Sequence, residues 1–327
     1  MRAKFLSSLA LALGMALAPV QSALSQQQYP HAPVRILCGF SAGGSTDSAA
    51  RLAAKWLQDE LKQSFYVDNR VGANGVVAIQ ALKSSKPDGY TLMMVTGGLM
   101  TMTPAVKTDV VYNPLEDFTP IAIVGWYPYA VVARPGFPAN DVPGLIDYAK
   151  KNPGKLTYGS AGIGSTNHLG TEWFDHLAGI SMNHVPYKGD APGISDLLAD
   201  RLDVYFMTPS VVMPHVKMGK VKLLGSTGNG PSPLIEGEKR MVSSTVPGYE
   251  LGSWLALVGP AGMARADVEK LNKILNNAMQ KPEMKAQMAS AGLVPILVTP
   301  DAFRHRIQAE LTQWQAVARS ANIRISD

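Results

Sequence analysis

The chain has 327 residues, 46% of them hydrophobic, with 30 basic and 25 acidic side chains and a formal net charge of +5. That is enough apolar chain for one large or two medium domains, and without long basic runs it argues against nucleic-acid binding. A single cysteine excludes an internal disulfide, and six scattered histidines without H-E-x-x-H or C-x-x-C context argue against zinc.

Arg2 and Lys4 precede an apolar stretch over 5–20, and the small residues Ala23 and Ser25 follow. This is the layout of a secretory signal, with export and cleavage expected before Gln26. Gly14 and Pro19 interrupt the stretch, which is short for a membrane span. Loss of residues 1–25 leaves 28 basic against 25 acidic residues, a net charge of +3. A mild positive balance suits anionic small ligands.

Val34–Cys38 predicts a strand, and Leu52, Ala53, Trp56, Leu57 and Leu61 mark one face of the helix after it. Residues 65–67, 91–95 and 129–133 read as further strands. Residues 156–159 then open a second strand–loop–helix unit like the first. This alternation predicts α/β layers with mostly parallel strands. Pro/Gly-rich joints at 134–143 and 225–233 read as loops or interdomain crossings. Near the C-terminus, Val268, Leu271, Ile274, Leu275 and Met279 predict one amphipathic helix. Phe303, Ile307, Leu311, Trp314 and Val317 predict another, and 294–299 between them reads as a closing strand or edge.

The loop after the first strand admits two chemistries. Gly39-Phe40-Ser41-Ala42-Gly43 matches the G-x-S-x-G elbow of serine hydrolases, which would make Ser41 a nucleophile. Gly43 and Gly44 separate Ser41 from the helix start, however, and too little mature chain precedes it to build an oxyanion hole. The same stretch also reads as a glycine-rich helix entry whose free N–H groups attract an anion. Residues 156–166 repeat that layout, with Ser165 and Thr166 at the second helix start as Ser45 and Thr46 are at the first. Neither loop has a Walker lysine or dinucleotide spacing, so no cofactor is expected.

The stretches 39–47, Asp68-Asn69-Arg70-Val71-Gly72-Ala73-Asn74-Gly75 and Pro87-Asp88-Gly89-Tyr90-Thr91-Leu92 together resemble the Bug family. So do Tyr158-Gly159-Ser160-Ala161-Gly162 with His168-Leu169, and Val185-Pro186-Tyr187-Lys188-Gly189. The family comprises periplasmic solute receptors of tripartite tricarboxylate transporters, and the likeness runs from about residue 33 to the C-terminus. It implies a two-lobed α/β binding protein of Venus-flytrap type, type II-like, with the ligand cleft between lobes. The lobes would be 26–125 plus 248–327 and 126–247. The resemblance places Phe40, Ser41, Ala42, Gly43, Gly44 and Thr46 on one wall. It places Ser160, Ala161, Gly164, Ser165 and Thr166 on the other. Ser41 then becomes a cradle residue.

Two departures from the family pattern bear on the ligand. Thr208 stands where many relatives carry an acid, which argues against an amino-acid ligand and for a hydroxyl donated to a carboxylate. Trp126 and Tyr127 stand at the first crossing, where they either pack the hinge or stack on an aromatic ligand. The reading implied is a monomeric, non-enzymatic receptor for a small organic dicarboxylate. An aromatic diacid such as terephthalate leads, with adipate-like aliphatic diacids next. Its partners would be the membrane permease subunits or a sensor kinase, and the rival reading is a periplasmic serine hydrolase using Ser41.

Overall fold

The computed structural model describes residues 29–107, 109–228, 232–235 and 240–320. The expected signal segment, residues 1–25, lies outside the described residues. In chain order the strands are β1 (Val34–Cys38), β2 (Phe65–Asn69), β3 (Thr91–Thr96), β4 (Phe118–Pro128), β5 (Ala130–Ala133), β6 (Thr157–Ser160), β7 (Asn183–Pro186), β8 (Val204–Met207), β9 (Lys222–Ser226) and β10 (Gly252–Pro260). The helices are α1 (Ser45–Leu61), α2 (Val76–Lys83), α3 (Thr103–Val106), α4 (Val142–Lys151), α5 (Thr166–Ala178), α6 (Asp190–Leu198), α7 (Pro209–Lys217), α8 (Arg265–Gln280), α9 (Pro282–Ser290) and α10 (Pro300–Ser320), with a π-helical turn at Gly98–Met102.

The strands form two five-stranded sheets, ordered β2-β1-β3-β10-β4 and β7-β6-β8-β5-β9. The two share one plan. In the first, β1 runs parallel to β2 and β3 while β10 is antiparallel to its neighbours. In the second, β6 runs parallel to β7 and β8 while β5 is antiparallel to its neighbours. β1 and β6 are therefore equivalent switch points, where the chain moves to one side of the strand and then to the other. In open α/β sheets a ligand binds outside the carboxyl ends of such strands. Here those ends are the two glycine-rich loops.

β1 is apolar apart from Arg35 because both faces are covered. Val34 and Ile36 pack with α1, and Leu37 packs on the other side with Ile79 and Val95. The face predicted for α1 is buried through Ala53, Trp56 and Leu57, and Ala49 and Ala50 extend it. Both C-terminal stripes are core: Leu271, Leu275 and Met279 of α8, and Phe303 and Ile307 of α10, are fully buried.

Two segments join the lobes. β4 stays in the first sheet to Pro128 and β5 opens the second at Ala130, three residues beyond the boundary expected from sequence. Thr227, fully buried, laces the first crossing to the return segment. Its N–H donates to the Tyr129 carbonyl (3.0 Å), its hydroxyl donates to the Leu251 carbonyl (2.6 Å), and that hydroxyl accepts from the Tyr129 N–H (2.7 Å).

One expectation changes, and one open alternative is decided. Residues 294–299 form no strand; a single bridge joins Val294 to Trp126. Pro295 lacks the N–H a ladder needs, and the side-chain amides of Asn272 and Asn276 take the Val298 carbonyl instead. The joint at 134–143 lies between β5 and α4, inside the second lobe, and is a loop rather than a crossing.

Candidate functional site

The lobes meet around a cleft with about 480 Å³ of space between atoms. Its first wall carries Phe40, Ser41, Gly44, Ser45 and Thr46 from the loop after β1, with Thr96 from the end of β3. Its second wall carries Ala161, Ser165, Thr166 and Asn167 from the loop after β6, with Gly189, Asp190 and Ala191 from the start of α6. Tyr127 and Tyr129, at the first crossing, close the back. A second gap of about 940 Å³ shares Phe40 and Ala161 and continues between Asn74 and Tyr187.

The helices α1, α5 and α6 thus all start at this cleft. The first N–H groups of a helix have no partner inside it, and the aligned peptide dipoles leave that end positive. Gly44, the residue before α1, makes no side-chain cap, so nothing of its own covers these donors. Asp47 in the first turn reaches back to the Gly43 N–H (3.0 Å) and pairs with Arg51 (2.9 Å) and Asn69 (2.9 Å). Burial alone would raise its pKa, but these hydrogen bonds together hold it below the usual carboxylate value. Asp47 therefore stays charged behind the loop and shapes it, while Ser45 and Thr46 face the cleft.

The second loop is fastened from behind. Ser165 caps α5, accepting from the His168 N–H (3.4 Å) and donating to the Gly162 carbonyl (2.6 Å). The Gly164 N–H donates to His168 Nδ1 (3.0 Å), so that ring is neutral at this nitrogen. His168 stacks on His184 at 3.9 Å, and His184 Nε2 shares a hydrogen bond with Ser160 Oγ (2.6 Å). Burial, then the neighbouring His184, pushes His168 down to about 3, and burial pushes His184 down to about 4.

The lobes touch. Ser41 Oγ donates to the Lys188 carbonyl (2.9 Å), and Thr103 Oγ1 donates to the Gly164 carbonyl (2.8 Å). Gly98, in the π-helical turn, lies against the start of α5; a Cβ there would stand 2.8 Å from the Thr166 backbone nitrogen. Only glycine allows this approach. The lobes are in a closed arrangement, with both loops facing one shared space.

Of the residues singled out from sequence, Phe40, Ser41, Gly44, Thr46, Tyr127, Ala161, Ser165 and Thr166 line the cleft. Ala42 and Gly43 are exposed at the loop tip. Ser160 sits behind the second wall, sharing a hydrogen bond with His184, whereas Gly164 meets Thr103 of the other lobe. Trp126 is not at the cleft: its ring covers Gly252, where a Cβ would stand 2.5 Å from the indole, and its backbone bridges Val294. It packs the hinge because β4 continues through it into the first sheet. Thr208 is also corrected. Its hydroxyl donates to the Asp190 carboxylate, so it does not face a ligand carboxylate.

Asp190 was missed, and with it the supposed lack of an acid near Thr208. Its Oδ1 accepts from Asn167 Nδ2 (3.1 Å) and Tyr205 OH (3.0 Å), and its Oδ2 from Thr208 Oγ1. Burial raises its pKa against the pull of these donors. A signal was available, since Gly189 directly before α6 is a third glycine entry like the other two.

Ser41 has its hydroxyl committed across the cleft, and among the described residues no histidine bonds to it. Among the described residues no group of three or more His, Cys, Asp or Glu is placed to hold a metal, and no helix is long and apolar enough to cross a membrane. The arrangement offers donors from two lobes to one small anion-bearing molecule, which is the chemistry of capture.

Comparison with known proteins points the same way. The chain is 30% identical over 312 residues to Protein BugT of Bordetella pertussis, covering 95% of this chain and 96% of that one. Among solved structures, R. palustris Rpa4515 with adipate superposes with a TM-score of 0.87 at 31% identity, covering 90% of this chain and 99% of that one. The periplasmic binding protein BugD gives 0.84 at 29% identity, covering 90% and 99%. MatC of Rhodopseudomonas palustris with bound malate gives 0.83 at 26%, covering 88% and 99%. The family model described as the tripartite tricarboxylate transporter family receptor matches residues 49–323. The chain is therefore a member of the Bug-type receptor family of tripartite tricarboxylate transporters, a periplasmic solute-binding protein with the two-lobed α/β fold of its relatives.

Proposed function

We propose that this receptor captures a small organic dicarboxylate, one carboxylate on each wall, and presents the closed form to the membrane permease subunits of its transporter. The observation that carries this reading is the convergence of the α1 and α5 N-termini on one cleft from opposite lobes. A carboxylate at a helix N-terminus gains about 0.3–1 kcal/mol from the dipole, and each hydrogen bond to it about 1.5–3 kcal/mol. A diacid gains both terms twice, and only when the lobes are closed. A ligand shifts the open–closed balance only through such differential contacts.

An aliphatic diacid of adipate's length is the first choice, since the adipate-bound relative matches over nearly the whole chain. A para-aromatic diacid such as terephthalate is the second reading; Phe40, Tyr127 and Tyr129 among the lining residues favour it. Without Trp126 the cleft lacks the broad indole face on which that reading first leaned. The lobes divide at the crossings, the signal segment ends near Ser25, and the chain works as a monomer without catalysis.

The test is thermal unfolding of the mature protein against terephthalate, phthalate, benzoate, adipate, glutamate and citrate. A ligand at a hundredfold its Kd stabilises by about 2.7 kcal/mol, a shift of roughly several degrees. A shift with adipate or terephthalate and none with benzoate supports the two-ended clamp. No shift with any acid would refute the carboxylate reading.

A further inference from the structure

The start of α6 holds an anion seat that the protein fills itself. Asp190 is its first residue, lines the cleft and is buried. Its carboxylate is surrounded by donors from elsewhere in the second lobe: Asn167 from α5, Tyr205 from β8, and the Thr208 hydroxyl at the start of α7. A carboxylate offers about four lone-pair sites, and the protein's own donors take three of them here. Asn167 ties the seat to the second loop, since its Oδ1 accepts from the Ala161 N–H (3.1 Å) and lies 2.8 Å from Ser165 Oγ.

Two consequences follow from charge and geometry. The donors gathered here are unavailable to a ligand, because an internal carboxylate already holds them. A free carboxylate entering beside Tyr127 and Tyr129 would also meet a like charge in a water-poor site, where repulsion is least screened.

We propose that Asp190 is a specificity-determining residue: by filling a third carboxylate seat from within the chain, it leaves room for two ligand carboxylates and turns away a third. The proposal rests on the dicarboxylate reading above. Removing the side chain opens a seat lined by an amide and two hydroxyls, contiguous with the cleft through Asn167.

The experiment is calorimetric titration of the wild-type protein and Asp190→Ala with adipate and with propane-1,2,3-tricarboxylate. The ratio of triacid to diacid affinity is expected to rise at least tenfold in the variant. Acetate at tens of millimolar is expected to raise the melting temperature of Asp190→Ala more than that of the wild type, as it enters the vacated seat. An unchanged ratio together with equal acetate shifts overturns the proposal. Should Asp190→Ala fail to fold, Asp190→Asn keeps the volume and removes the charge. Its ratio is expected to move the same way by about threefold, and an unmoved ratio counts against the seat. Wild-type protein that binds neither acid removes the dicarboxylate reading itself, whereas the acetate comparison still reports on the seat.

Discussion

The two glycine-rich loops look alike in sequence and differ in how they are held. The first, after β1, has an exposed tip at Ala42 and Gly43, and one buried carboxylate, Asp47, shapes its helix entry from behind. The second, after β6, is tied down by a capping serine, a stacked histidine pair and an asparagine that reaches Asp190. One wall thus offers nearly bare donors, and the other offers donors already set in a network. A clamp needs both, since a rigid wall fixes the register and a less tethered one meets the ligand as the lobes close. The same motif serves either role, and its neighbours decide which.

The strongest way to break this comparison is to keep the walls apart. Gly98→Ala puts a Cβ against the Thr166 backbone, which cannot move without shifting α5. Diacid affinity is expected to fall at least a hundredfold by titration, with the melting temperature of the unliganded protein changed little. Unreduced affinity would show that closure does not need this approach.

A smaller effect separates the walls. Thr46→Val and Thr166→Val each remove a hydroxyl at a helix start while keeping the shape. Each is expected to weaken diacid binding by about 1.5–3 kcal/mol if that hydroxyl meets a carboxylate. Ser165→Val should also weaken binding and, as it deletes the α5 cap, cost about 1 kcal/mol of stability. Affinity retained in both Ser165→Val and Thr166→Val would remove the second wall from the cradle.

Acid should loosen the second wall. His168 and His184 have folded-state pKa values depressed from about 6.5 to about 3 and about 4. The unfolded chain therefore takes up protons first, so their contribution is full above pH about 6.5 and is lost as pH falls toward 4. The melting temperature is expected to drop over that window, and His184→Phe should flatten the drop. Asp175, near the C-terminal end of α5, titrates with the opposite sign. Burial pushes it up to about 7, so its contribution is full below the ordinary carboxylate range and is lost as pH rises through 7. One of its oxygens has no hydrogen-bond partner. Asp175→Asn is expected to raise the melting temperature at pH 8 by a few degrees and to change it little at pH 4.

Much of this was legible in the chain. β1, β3 and β6, α1 and both C-terminal helices follow from apolar runs and 3.6-residue stripes, which report burial directly. The paired loops follow from glycine and small hydroxyl residues at helix starts. What escaped depends on partners distant in sequence. Trp126 reads equally as a hinge residue or a cleft aromatic until Gly252, on β10, is seen beneath its ring. Thr208 reads as a free hydroxyl until Asp190 is found against it. Residues 294–299 read as a strand because they are apolar, yet the Val298 carbonyl is taken by two α8 side-chain amides rather than a ladder.

The central claim is a clamp with two charged ends. Calorimetric titration of the mature protein with adipate and with hexanoate, which has the same carbon chain but one carboxylate, tests it most directly. The clamp predicts at least hundredfold tighter binding of adipate, since one end's dipole and hydrogen-bond contributions are lost in the monoacid. Equal affinities within threefold would mean that only one wall holds a carboxylate, and the two-ended account would be wrong.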